Sequence, residues 1–377
     1  MDNIQMVDLV SQHQKIRGEL DAAIGEIIDK AWFIKGKPVA EFEKDLASYL
    51  GAKKVVGCAN GTDALMGAFM ALELPEGSEV IVPDFTFIAT AEVLALLKLE
   101  PVFVDVEQDT FNIDPKSIRQ AITDKTSAIV PVHMFGLPCD MEAIMAIAKE
   151  HNLKVVEDAA QAIGSEFTFS DGRTVKCGSI GDVGCTSFFP SKNLSCMGDG
   201  GAIFTNDEEL GIKIEQMCNH GMHEAYKYKY VGINSRLDAL QASVLKIKLP
   251  LLDSYNTARK GAAEKYSQAL AGVEQLDLPI EQDNSRHVFH QYTLRIKDDS
   301  RDALEAYLKS KGIPTKIYYP IPFHDHEPYS GFPHNEDHLK NSRWLSNHVL
   351  SLPMHTELSN EQIDYITNSV IEFYSNN

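Results

Sequence analysis

Between about residues 53 and 206, short runs rich in β-branched residues alternate with segments of helical periodicity. This alternation restricts the fold more than any other feature of the chain. The strand candidates are Lys54–Cys58, Glu79–Pro83, Pro101–Val106, Ser127–His133, Lys154–Glu157, Asp182–Phe188 and Gly201–Phe204. Helical patterns separate several of them, at Thr62–Leu72, Thr86–Leu97, Pro115–Ile122 and Met141–Glu150. The strands are apolar almost throughout, which suits burial on both faces, so the pattern predicts a mostly parallel sheet covered by helices, an α/β fold.

After Asp207 the alternation gives way to long helical patterns, Asp207–Asn219 and Asn234–Leu270, the second interrupted by Pro250. The final third differs again. His287–Ile296 alternates like an antiparallel strand, Asp302–Lys311 is amphipathic, and Thr315–Tyr319 has strand character. A large domain over 1–250 and a small α+β domain over 251–377 are expected, within the range that 377 residues allow.

The formal net charge of -19 argues against nucleic acid and anionic membranes as general partners. No apolar run is long enough to span a bilayer. Met1-Asp2-Asn3-Ile4 shows no basic region leading into an apolar run, so no secretory leader is expected. The six cysteines form no C-x-x-C pair and have no histidines at zinc spacing, so no metal site is expected. They are read as reduced, mostly buried thiols of a cytoplasmic protein.

Four motifs carry chemistry. Val155-Val156-Glu157-Asp158-Ala159-Ala160-Gln161 runs apolar and then acidic, which sets Asp158 at the carboxyl end of a strand, where open α/β sheets bind ligands. Lys192 lies in the loop Ser187-Phe188-Phe189-Pro190-Ser191-Lys192, ahead of the glycine cluster Gly198-Asp199-Gly200-Gly201. Ala59-Asn60-Gly61-Thr62-Asp63 follows a strand and opens a helix, a setting that binds phosphate through free N–H groups. Gly232-Ile233-Asn234-Ser235-Arg236 is expected to open a second helix. Singly, each is an ordinary cap or loop. Together they supply what pyridoxal 5'-phosphate (PLP) chemistry requires: an amine for a Schiff base, a carboxylate for the ring nitrogen, and a phosphate grip.

In this order the motifs resemble those of the DegT/StrS-type nucleotide-sugar aminotransferases, a branch of the fold-type I PLP enzymes. The resemblance extends to Phe33-Ile34-Lys35-Gly36, Pro83-Asp84-Phe85-Thr86-Phe87-Ile88-Ala89-Thr90, Pro131-Val132-His133, Tyr319-Pro320-Ile321-Pro322 and Ser351-Leu352-Pro353. It implies that Lys192 and Asp158 are catalytic. It also implies that Gln161 lies near the ring's O3′ side and that Phe87 stacks on the ring. The backbone amides of Thr62 and Asp63 and the Ser187 hydroxyl would hold the phosphate. Asn234 would reach the phosphate of a neighbouring subunit, which implies a homodimer with shared sites.

Within the family, the sequence around Lys192 is most similar to a group that aminates UDP-2-acetamido-2-deoxy-3-oxo-glucuronate from L-glutamate, for surface-polysaccharide precursors. There Arg236 would grip the sugar carboxylate, as a bidentate guanidinium does well. Tyr318 stands where many relatives carry His before Tyr319-Pro320, which leaves a 4-keto 6-deoxy sugar as an alternative. Lys35 replaces part of a common Leu-Gly-Pro-Glu string and is a candidate for the diphosphate. A sugar dehydratase of this family would have His in place of Lys192. A DNA-binding regulator would carry a basic helix-turn-helix, and a nucleotide-binding oxidoreductase a G-x-G-x-x-G between strand and helix; neither pattern is present.

Overall fold

A computed structural model describes residues 4–376. Met1, Asp2 and Asn3, part of the N-terminal reading above, lie outside the described residues. The main sheet has seven strands: β1 (Lys54–Cys58), β2 (Glu79–Pro83), β3 (Glu100–Val104), β4 (Thr126–Ile129), β5 (Lys154–Asp158), β6 (Val183–Ser187) and β7 (Gly201–Thr205). Their order is β1-β7-β6-β5-β4-β2-β3. All neighbours pair in parallel except β7, which is antiparallel to both β6 and β1. The sheet is therefore mostly parallel, as its apolar strands require. Apolar clusters fill both faces, with Leu65, Phe69, Val80 and Val156 on one and Ile81, Ile129, Ile144 and Val155 on the other.

Three helices precede the sheet, Leu9–Gln14, Arg17–Lys30 and Lys37–Leu50, and the third buries Phe42 and Leu46 against Phe188 and Phe204. A second sheet, β8 (Leu276–Asp277), β9 (Tyr292–Ile296) and β10 (Val349–Leu352), is antiparallel. It packs with the helices Leu252–Leu270, Arg301–Ser310 and Asn360–Ser375 around Tyr266, Tyr292 and Ile366.

Three local expectations are corrected. The helix expected from Asn234 starts at Ala239, because Asn234 is drawn into a bridge with Asn219 and Ser235 into a bond from the Ala59 amide. Pro250 breaks the following helix through a single 3₁₀ turn, Leu249–Leu251, as its missing N–H demands. Thr315–Tyr319 is not a strand: one bridge, Lys316 to Ser351, is all the pairing it makes among the described residues. The alternation read over His287–Ile296 also shortens, to the wholly buried β9.

The end of β5 is fixed by Glu157, which is fully buried. Its carboxylate accepts from the amides of Gly178 (2.7 Å), Ile180 (2.7 Å) and Gly181 (2.6 Å) and pairs with His133 Nε2 at 2.9 Å. His133 Nδ1 accepts from the Cys139 amide, so the ring proton sits on Nε2 and is donated to Glu157. Glu157→Gln turns an NH₂ donor against part of this donor set. The substitution is expected to cost about 3 kcal/mol or more in folding stability, as when one side of a buried charge-assisted network is removed. A denaturant midpoint that does not move between the two proteins rules this out.

Candidate active site

The carboxyl ends of β1, β2, β5 and β6 and the start of β7 converge on one side of the sheet, around a cavity of about 750 Å³. Strand alternation explains why adjacent acids have separate surroundings: Glu157 turns into the fold, whereas Asp158 lines the cavity. Asp158 is buried, with Oδ2 accepting from Thr90 Oγ1 at 2.9 Å and Oδ1 from the Ala160 amide at 3.1 Å. Burial pushes its carboxyl above the usual range, opposed by these two bonds and by the charge of Lys192. Such a carboxylate is stabilised further by a cation placed in the cavity.

Lys192 lines the same cavity, and its ammonium makes no hydrogen bond or ion pair among the described residues. Its backbone amide closes a turn onto Phe189 O at 2.8 Å. Burial lowers its pKa to about 8, with Asp158 pulling the other way. It therefore holds a proton yet releases one near neutrality.

The helix Gly61–Leu72 points its start at the cavity. Asn60 caps it and accepts from the Asp63 amide at 2.8 Å, which leaves the amides of Gly61 and Thr62 as the open donors of the first turn. Ser187 stands directly over Gly61: a Cβ on Gly61 would lie 2.7 Å from Ser187 Cβ. This clearance, the open amides and the Ser187 hydroxyl make a cradle for a phosphate. Opposite, Gln161 accepts from the Phe135 amide at 2.8 Å and donates to Tyr319 Oη at 3.0 Å. Phe87 is 54% exposed, on the rim, with its ring centroid 6.3 Å from that of Tyr319, and Tyr318 completes that wall.

Asp158, Gln161, Lys192, Ser187, Thr62, Asp63, Phe87, Tyr318 and Tyr319 thus line one cavity. Three candidates stand apart from it. Arg236 and Lys35 line a second, smaller cavity of about 270 Å³, where Arg236 donates to Asn219 Oδ1 at 3.3 Å. Asn234 is exposed on the surface between them, while Ser235 beside it is fully buried. Sequence reasoning missed Thr90 as the partner of Asp158, although Thr90 closes the Pro83–Thr90 string. It also missed His290, which lines the cavity from the region read only as a strand. The Lys192 amine, the Asp158 carboxylate and the phosphate cradle around one cavity fit PLP. No metal-binding group of three or more His, Cys, Asp or Glu occurs among the described residues.

A model of the DegT/DnrJ/EryC1/StrS aminotransferase family matches residues 14–371. The UDP-N-acetyl-3-dehydro-alpha-D-glucosamine 3-aminotransferase of Acidithiobacillus ferrooxidans is 46% identical over 96% of this chain and 95% of its own. The UDP-2-acetamido-2-deoxy-3-oxo-D-glucuronate aminotransferase of Pseudomonas aeruginosa is 41% identical over 96% and 98%. Among solved structures, NtdA from Bacillus subtilis with bound cofactor PMP superposes with a TM-score of 0.87 at 31% identity, covering 96% of this chain and 82% of that one. The chain belongs to this family and is an aminotransferase.

The cradle gives a direct test. Gly61→Ala sets a methyl group against Ser187 and narrows the phosphate position without touching Lys192 or Asp158. PLP titrated into cofactor-free protein is expected to bind at least about tenfold more weakly, equivalent to about 1.4 kcal/mol. Unchanged affinity in the folded variant excludes this position for the phosphate.

Proposed function

We propose that this member of the DegT/DnrJ/EryC1/StrS aminotransferase family uses PLP to move the amino group of L-glutamate to the C3 keto group of UDP-2-acetamido-2-deoxy-3-oxo-glucuronate, for surface-polysaccharide precursors. The observation that carries the reading is the placement of Lys192 and Asp158 on one cavity with the Gly61–Ser187 cradle at its side. When bound, the cofactor's pyridine ring supplies the electron sink that amino-group transfer needs. Asp158 would hold the ring nitrogen of the bound cofactor in its protonated form, a pairing that a buried carboxylate favours. Lys192 Nζ removes the proton from the amino-bearing carbon of glutamate and later delivers one to C3 of the sugar, and a pKa of about 8 suits both directions. Gln161, held by its bonds to Phe135 and Tyr319, and Phe87 on the rim would be the residues that hold the ring when the cofactor is bound.

The second cavity supports the substrate assignment. Arg236 and Lys35 line this cavity alongside Glu43 and Glu215, apart from Lys192 of the same chain, so their grip on a carboxylate or diphosphate is proposed for a sugar shared across the dimer. A neutral 3-keto acetamido sugar is the second reading, favoured by the 46% identity to the glucosamine enzyme. We further propose a homodimer in which Asn234 completes the phosphate site of the partner. Its exposure beside Val231 (91% exposed) and near Tyr226 (88% exposed) supports an unpaired apolar face there.

Two experiments test the reading. Lys192→Ala is expected to abolish transamination, and Asn234→Ala to weaken PLP retention. Coexpressed chains of the two variants form heterodimers in which one site carries both lesions and the other neither, so activity well above both homodimers is expected. Verified heterodimers without recovery speak against shared sites. Enzyme charged with glutamate is then offered UDP-linked 3-keto uronate, its neutral 6-hydroxyl counterpart and a 4-keto 6-deoxy sugar. Arg236→Ala is expected to lose about 10- to 150-fold of the preference for the uronate, the worth of a charge-assisted pair of about 1.5–3 kcal/mol. A preference that survives in Arg236→Ala removes this residue as selector.

A further inference from the structure

Two of the segments that wall the larger cavity come from distant parts of the chain, and one buried carboxylate joins them. Thr86 and Phe87 follow the end of β2, whereas Tyr318 and Tyr319 come after the helix Arg301–Ser310. Asp84 is fully buried just beyond β2, with its amide donating to Val104 O at 2.9 Å. It binds the second segment through three of its oxygens. Its carbonyl accepts from the Phe323 amide at 3.0 Å, Oδ1 from the His324 amide at 3.0 Å, and Oδ2 from His324 Nδ1 at 2.7 Å.

The His324 ring is also fixed from its other side. Arg343 Nη2 lies 2.6 Å from His324 Nε2, and Asp325 Oδ1 stands farther off, 3.5 Å from each of these nitrogens. A guanidinium can only donate, so Nε2 accepts and the ring hydrogen sits on Nδ1, pointed at Asp84. Phe323 pins the same segment by stacking on Phe103, with ring centroids 5.3 Å apart. Between His324 and Tyr319 the chain contains Pro320 and Pro322, whose φ angles are fixed. On the opposite side, the fully buried Phe85 lies between Asp84 and the Thr86-Phe87 pair. Position therefore passes from the Asp84–His324 pair to both walls over short, stiff lengths of chain. The walls meet at Tyr319, whose ring centroid is 6.0 Å from that of Phe85 and 6.3 Å from that of Phe87.

We infer that Asp84 and His324 are positioning residues: their pair holds the Tyr318–Tyr319 wall against Phe85 and Phe87, and so sets the fit of the keto sugar in the cavity. Neither residue is among those lining the cavity, so both act through the walls they join. The placement of Tyr319 follows from the contacts above, and the consequence for the sugar rests on the proposed function. A displaced Tyr319 also loses its bond from Gln161 Nε2, at 3.0 Å, so the pair reaches the cavity floor through that bond.

The test reads Tyr319 directly. Difluorotyrosine is placed at position 319 of the full chain, where its fluorines bring the hydroxyl titration into an accessible pH range, and the cofactor-free protein is titrated by fluorine NMR. Burial holds the Tyr319 hydroxyl above its usual pKa, with the Gln161 bond opposing and Asp158 and Tyr318 adding to the rise. In His324→Leu the ring donor is gone and the wall is free to move toward water, so the midpoint is expected to fall by about one pH unit. His324→Asn, whose Nδ2 stands where Nδ1 stood and can donate to Asp84, is expected to stay nearer the parent. In the holoenzyme, His324→Leu is expected to raise KM for the UDP-linked 3-keto sugar about tenfold and to lower kcat less. Should His324→Leu not fold, the double variant Asp84→Asn, His324→Leu carries the same expectations, because it keeps an acceptor for the amide at position 324 and buries no unpaired charge. A Tyr319 midpoint that is unchanged or raised, or an unchanged KM, in the folded variants overturns the role of the pair. A parent that does not aminate the sugar speaks instead against the proposed function, and the Tyr319 titration, which needs no substrate, still decides the role of the pair.

Discussion

The site depends on how the chain tolerates two neighbouring carboxylates at the end of one strand. Glu157 is buried without an arginine or lysine, and its cost is offset by three backbone amides and the His133 ring. Those donors come from the turn before β6 and from the loop after β4, so one carboxylate ties the end of β5 to segments of both neighbouring strands. Strand alternation then leaves Asp158 only one direction, toward the cavity. Gly178 and Gly184 allow the approach: a Cβ on Gly184 would lie 1.9 Å from Gly178 O. The same close turn supplies three of the Glu157 donors, Gly178, Ile180 and Gly181, within four residues of each other. Moving Glu157 would move Asp158, Gly178 and His133 together.

Much of this was readable from residue order alone. Glu79–Pro83 and Lys54–Cys58 are strands at the positions the apolar runs gave, because a strand buried on both faces leaves an unbroken signature. The site was readable where it depends on chemistry that few residue types supply, as at Lys192 and Asp158. It was not readable where a tertiary contact overrides a local pattern. Asn234–Asp238 has helical spacing, yet Ser235 is needed by the Ala59 amide and Asn234 by the bridge to Asn219, so the helix waits until Ala239. Likewise the Asp63 amide is spent on Asn60, a local cap that a motif does not reveal. His290 carried no signal, since its place on the cavity is set by tertiary contacts, its Nδ1 facing Asn193 Oδ1 across 97 residues of sequence.

The two cavities differ in what builds them. The larger is shaped by backbone: a helix start, a glycine without a Cβ, and loops closed on fixed carbonyls. Changes there are costly, because each element also serves the fold. The smaller is lined by Lys35, Glu43, Glu215 and Arg236, of which Glu43 also accepts the Gly57 amide at 2.8 Å. Tyr318 and Phe87 hold a similar position on the rim of the larger cavity, with Phe87 half exposed. Substitution at such positions alters which ligand is held at little cost to stability. Under the proposed reading this division separates an amino-transfer machinery built into the fold from a sugar grip made of exchangeable side chains. Two relatives of similar identity to this chain, at 46% and 41%, are named for a glucosamine and a glucuronate substrate. Under the proposed reading the choice of sugar rests on rim and second-cavity side chains, and overall identity, which is set mainly by the fold, is a poor measure of it.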